Sequence, residues 1–107
     1  FKPIINNWLI YTVSVDKSIV NDWLKWMRND HVPEIISTKI FNKAQINRLI
    51  TENDSGHTFA VSYSCKSMKD LHNYQVNYAP LLQQKHFKKF GDKAVAFRTI
   101  MEVIDIF

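Results

Sequence analysis

His57-Thr58-Phe59-Ala60-Val61-Ser62-Tyr63-Ser64-Cys65 is the stretch on which the fold turns. Phe59, Val61, Tyr63 and Cys65 alternate with Thr58, Ala60, Ser62 and Ser64, a period-two pattern that makes a strand with one apolar face and one small or weakly polar face. Trp8 to Val15 repeats the pattern, with Leu9, Tyr11, Val13 and Val15 set against Ile10, Thr12 and Ser14. Two strands so alike are expected to be central neighbours in one sheet.

Upstream of this strand, Glu52-Asn53-Asp54-Ser55-Gly56 is the strongest turn signal in the chain and closes a hairpin. Its other arm spans Ile40–Ile50, where Ile40, Ala44, Ile46 and Ile50 oppose Phe41, Gln45 and Leu49. Interspersed Asn42, Lys43, Asn47 and Arg48 point to an edge strand carrying a bulge. Further upstream, Asp16 stands where a carboxylate would cap a helix. Ile19, Val20, Trp23, Leu24 and Met27 then form an apolar stripe at helical spacing, with Trp26 at its side. Pro33 disfavours helical backbone at Val32, so this helix is expected to stop near Asn29 or Asp30 and to restart for one turn over residues 33–36.

Downstream, Ser67 and Asp70 resemble a capping box, and Leu71, Tyr74, Tyr78 and Leu82 make the stripe of a second helix. Pro80 bends it or begins a new segment carrying Leu81, Leu82, Phe87 and Phe90, which Gly91 ends in a left-handed cap. Residues 93–107 read as a fourth strand, with Val95, Phe97, Met101 and Val103 on one side and Ala96, Arg98, Ile100, Glu102 and Ile104 on the other. The order strand, helix, strand, strand, helix, strand is an α+β ferredoxin-like βαββαβ plait with a four-stranded antiparallel sheet, expected as one domain over residues 1–107.

With both helices on one face, the other face would carry Ile10, Thr12, Ala60, Ser62, Ile46, Ile100 and Ile104. That set is too apolar to meet water and too small to build a core of its own, so the same face of a second copy is expected to cover it. The product is a two-fold homodimer.

Composition agrees with a folded chain: 107 residues, 46% hydrophobic and 22% charged, with only two glycines and three prolines. No apolar window is long enough to span a bilayer, and the opening residues lack the apolar run of a signal peptide, so no membrane partner is expected. The single Cys65 excludes an internal disulfide and points to the reducing cytoplasm. The net charge of +4 is mild, and its only dense cluster, Lys85, His86, Lys88 and Lys89, reads as a solvated helix face.

Chemistry concentrates in residues 23–36, which bring two of the three tryptophans beside His31 and Glu34 as a candidate pocket wall. His31 with Glu34 reads either as a general base with its orienting carboxylate or as a histidine at a helix break beside a first-turn glutamate. An apolar or aromatic small molecule is expected near Tyr11, Trp23, His31 and Tyr63. Arg98, four residues before Glu102 on the same side of the last strand, is expected on the dimer face, pairing with the second copy or meeting a polar ligand.

His31, His57, His72 and His86 are scattered, with no pair at ligand spacing, and Cys65 is alone, so no metal is expected. Haem through His31 or His72 has no motif behind it, and no cofactor is expected. A nucleophile elbow is absent, and the two glycines, Gly56 and Gly91, cannot build a phosphate-cradling loop. Phe59-Ala60-Val61-Ser62-Tyr63 matches an RNA-stacking strand only loosely, and its aromatics lie on the face the helices need, so nucleic acid is not the expected partner.

The runs Trp23-Leu24-Lys25-Trp26-Met27, His31-Val32-Pro33-Glu34-Ile35-Ile36 and Lys89-Phe90-Gly91-Asp92-Lys93-Ala94-Val95-Ala96-Phe97-Arg98-Thr99 together resemble a family of small bacterial proteins of unknown function common in Bacteroidetes. The resemblance runs from Trp8 to Ile104. More distantly the chain is similar to the dimeric α+β barrel superfamily that includes the antibiotic biosynthesis monooxygenases. That likeness implies a homodimer with facing sheets and ligand pockets between sheet and helices, and it transfers no catalytic residue. The implied role is binding or oxidising an apolar or aromatic small molecule; the alternative is a non-catalytic ligand-binding or assembly module.

Overall fold

The computed structural model describes residues 6–51 and 57–107. The opening residues 1–5 and the expected hairpin turn at residues 52–56 lie outside the described residues. Strand β1 (Asn7–Val15) leads through a 3-10 turn (Lys17–Ile19) into helix α1 (Val20–Trp26), a π-helical turn (Met27–His31) and helix α2 (Val32–Ile36). Strands β2 (Lys43–Arg48) and β3 (Thr58–Cys65), helices α3 (Met68–Asn77) and α4 (Ala79–Phe90), a 3-10 turn (Gly91–Lys93) and strand β4 (Ala94–Glu102) follow. The sheet order is β2-β3-β1-β4 with every pairing antiparallel, which is the ferredoxin-like plait. β1 and β3 are indeed the central neighbours.

Local chemistry sets the element ends. Asp16 Oδ1 accepts from the backbone N–H of Ser18 at 2.9 Å and from its hydroxyl at 2.7 Å, opening the first turn. Ser67 Oγ accepts from the Asp70 backbone N–H at 3.1 Å and caps α3. Tyr78 breaks the run at φ −124°, and Pro80 sits in the first turn of α4, where its missing N–H costs nothing. Gly91 ends α4 at φ 59°, ψ −134°, a backbone region open to glycine and strained for other residues.

The first helix does not stop at Asp30 as its sequence leads one to expect. Val32 stays helical at φ −63°, ψ −45°, and its N–H bonds the carbonyl of Met27, five residues back. In a regular α-helix the Pro33 ring would collide with the carbonyl four residues earlier and leave it without a donor. A widened turn accommodates the proline without ending the helix.

The core lies between the helices and one sheet face. Leu9, Val13 and Val15 of β1 and Phe59, Val61, Tyr63 and Cys65 of β3 pack against Trp23, Met27, Ile35, Leu71, Tyr74, Ala79 and Leu82. Phe41, expected in the second strand, instead precedes a shorter β2 and inserts its ring between Tyr63 and Tyr74, with centroids 5.3 and 4.8 Å away.

Register corrects the expected faces. Residues directly opposite one another share a face, and Ile46 lies opposite Val61, Ile100 opposite Leu9, Arg98 opposite Tyr11 and Glu102 opposite Asn7. Ile46, Ile100, Arg98 and Glu102 therefore belong to the helix-covered side, not the open face, and Ile104 lies beyond the end of β4. The open face carries Trp8, Ile10 and Thr12, then Ala60, Ser62 and Ser64, and from β4 Val95, Phe97, Thr99 and Met101. Both residue sets of β4 contain apolar side chains, so its pattern could not choose a side, whereas pairing to β1 does.

Candidate functional site

A cavity of about 430 Å³ lies between the helices and the inner face of the sheet. Val61 and Tyr63 form part of its floor, Met27, Ile35, Tyr74 and Leu82 line it from the helices, and Tyr11, Gln83, Asp92 and Arg98 add polar atoms. His31 and His86 complete the wall. A mainly apolar space of this size with a few convergent polar groups is the usual form of a small-molecule site.

The π turn positions His31. Widening the helix by one residue brings His31 beneath Trp26, and the two rings stack with centroids 4.6 Å apart and planes 21° apart. His86 approaches from α4, its centroid 5.8 Å from that of His31 and 5.9 Å from Trp26, and Phe90 closes the cluster edge-on to Trp26 at 5.4 Å. His31 is 7% exposed, and its Nδ1 is sealed with no hydrogen-bond partner among the described residues.

Electrostatics follow from that enclosure. Burial above all, then the neighbouring His86, pushes the His31 pKa down to about 4; Glu34 pulls it up and Lys85 adds a small downward push. Burial also lowers His86. Both imidazoles are thus neutral at physiological pH. Burial raises the phenols of Tyr63 and Tyr74 well above the usual tyrosine range, with Tyr11 contributing to each, and it raises the Cys65 thiol. Neither phenol is a source of negative charge, and Cys65, 0% exposed, is an inert core thiol.

Of the residues expected from the sequence, Tyr11, His31, Tyr63 and Arg98 all line the cavity. Trp23 does not. It is fully buried, packs on Phe59 at 5.1 Å, and donates its indole N–H to His86 Nε2 at 3.0 Å. Glu34 does not orient His31 either: its Oε2 accepts from Lys85 Nζ at 2.8 Å in a half-exposed ion pair between α2 and α4. Such a pair contributes at most about 1 kcal/mol.

His86, Tyr74 and Gln83 were not among the expected site residues. Leu82, His86 and Phe90 recur every four residues and so share the inward face of α4, a spacing that marks His86 as separate from the exposed lysines around it. Gln83 Nε2 donates to the Tyr11 hydroxyl at 3.4 Å, tying α4 to β1 across the rim. Among the described residues no three His, Cys, Asp or Glu side chains converge as a metal ion requires, and no helix is long and apolar enough to cross a membrane.

The plait with its cavity between helices and sheet defines a ferredoxin-like α+β protein. Within that class the chain belongs to the family described as a domain of unknown function, DUF4286, whose model matches residues 8–104. No curated protein matches the chain in sequence. Among solved structures it is similar to a dimeric ferredoxin-like protein from an uncultured marine organism, at a TM-score of 0.72 and 11% identity over 96% of this chain and 99% of that one. It is also similar to a nipsnap family protein of unknown function from Agrobacterium tumefaciens, at 0.66 and 14% identity over 95% and 91%. A provisional antibiotic biosynthesis monooxygenase from Nitrosomonas europaea matches at 0.63 and 15% identity over 97% and 94%. At these identities the likeness is one of fold.

Proposed function

We propose that this chain is a single-domain, cytoplasmic homodimer that binds an apolar, ring-sized small molecule between its sheet and its helices. The cavity carries the reading, because a mainly apolar recess of this size between sheet and helices is the usual form of a small-molecule site. Tyr11, His31, Tyr63 and Arg98 contact the ligand, and Trp23 supports the wall from behind. The lone buried thiol of Cys65 suits a reducing compartment.

Assembly rests on the open face. Val95, Phe97 and Met101 of β4 are 59%, 65% and 45% exposed there, in line with Trp8, Ile10 and Thr12 of β1. A second copy laying the same face on this one would remove these side chains from water, and two of the similar structures are named as dimeric. Phe59 and Tyr63 are 2% and 1% exposed beneath the helices, so a base-stacking role for them has no support.

Oxidation of the bound molecule by dioxygen is the second reading. It is favoured by His31, which is held neutral at the cavity wall and so is able to accept a proton.

Protein-observed aromatic NMR with a panel of apolar aromatic fragments tests the binding reading, with the ring signals of Tyr63 and Tyr74 as reporters. Fragments that shift both rings are expected. A panel in which no fragment moves either ring overturns the reading. Oxygen uptake in the presence of the bound molecule separates an enzyme from a binder.

A further inference from the structure

The bond between Trp23 and His86 determines what the cavity can recognise. An indole nitrogen can only donate, and a fully buried donor needs an acceptor. The acceptor here is His86 Nε2 at 3.0 Å, so that nitrogen carries its lone pair inward, toward the core. A neutral imidazole with Nε2 accepting has its proton on Nδ1. The one hydrogen bond His86 makes among the described residues is through Nε2, so Nδ1 is left for a ligand, and His86 lines the cavity. The ring is therefore an uncharged donor held in one tautomer.

The other polar groups extend this preference. Arg98 on β4 brings a full positive charge to the same cavity, and it makes no ion pair among the described residues. Asp92, also at the rim, opposes a second negative charge on a ligand. The remaining walls are apolar or aromatic.

We propose that Trp23 is a positioning residue that locks His86 as an Nδ1–H donor, and that the cavity consequently takes an apolar, ring-sized monocarboxylate, its oxygens meeting His86 under the charge of Arg98. This inference rests on the small-molecule reading above and names the ligand class for that site.

Two measurements on the intact protein test it. Long-range ¹H–¹⁵N spectra of ligand-free protein at neutral pH report the imidazole tautomers directly, and His86 is expected to show a protonated Nδ1 and an unprotonated Nε2. Calorimetry with naphthoate, naphthylmethanol and naphthylmethylamine then reads the ligand class. Naphthoate is expected to bind at least about tenfold more tightly than the alcohol, with the amine weakest.

Trp23→Phe keeps a ring against Phe59 but removes the donor. It is expected to release His86 toward the Nε2–H tautomer and to cut the preference for naphthoate by about fivefold. Should that variant fail to fold, His86→Phe is expected to cut the preference equally.

An Nε2–H tautomer in the unmodified protein overturns the proposal. So does an unchanged preference in whichever of the two variants folds. Equal binding of the three probes overturns the ligand class while the cavity reading stands. Binding of none overturns both.

Discussion

His31 links the folded state to pH. Its pKa near 4 in the folded chain lies below the ordinary value of 6.5, so between those values the unfolded chain takes up a proton that the folded chain refuses. Stability is therefore complete above the unfolded value, declines as pH falls through it, and levels off near the folded one. The groups facing His31 set the depth of that loss: His86 and Lys85 deepen it, and Glu34 opposes it. From His31 the loss is expected to reach about 3 kcal/mol, with His86 adding in the same direction. Urea unfolding at neutral pH and near the folded value measures it, and His31→Gln should flatten the profile; a profile unchanged by that substitution contradicts the assignment. The presence of His31 at a pocket wall was legible from its neighbours Trp23 and Trp26. Its true partner was not, because stacking on Trp26 needs the five-residue offset of a π turn, which no α-helical pattern supplies.

At the scale of elements, two backbone features carry predictions. A methyl group at Gly91 would meet nothing within 4 Å, so Gly91→Ala isolates the cost of the positive φ. A loss of about 1–2 kcal/mol in chemical denaturation is expected. Pro33→Ala restores a backbone N–H and removes the ring that widens the turn. Regular α winding is then expected to carry His31 away from Trp26, seen as loss of the ring-current shift on the imidazole protons; an unchanged shift would show that packing and not Pro33 makes the turn. These cases also show where sequence is informative. β1 and β3 could be read at once because each has one apolar face, and the caps at Asp16 and Ser67 followed from their own side chains. β4 could not be assigned a side, since Val95, Phe97 and Met101 compete with Ala96 and Ile100, and only pairing to β1 decides. His86 was hidden among lysines for a different reason: local charge masked a four-residue spacing.

For the whole molecule, the helices cover β3 and β1 while β4 stays exposed on both faces: Arg98 and Ile100 on the cavity side, Val95, Phe97 and Met101 on the other. A second copy seated on the open face would cover the latter set, and Phe97→Glu, which places a charge in that contact, is expected to yield a monomer in sedimentation velocity while leaving the fold intact. The cavity lies on the opposite side of the sheet, so the same variant should still bind an apolar ring. The proposed assembly and the proposed ligand binding are thus separable by experiment, although both would draw on one sheet. Native mass spectrometry of freshly purified protein tests the combined claim most directly. A species of two chains that takes up one apolar ring-bearing molecule per chain is expected. A lone chain at micromolar concentration, binding no such molecule, would contradict it.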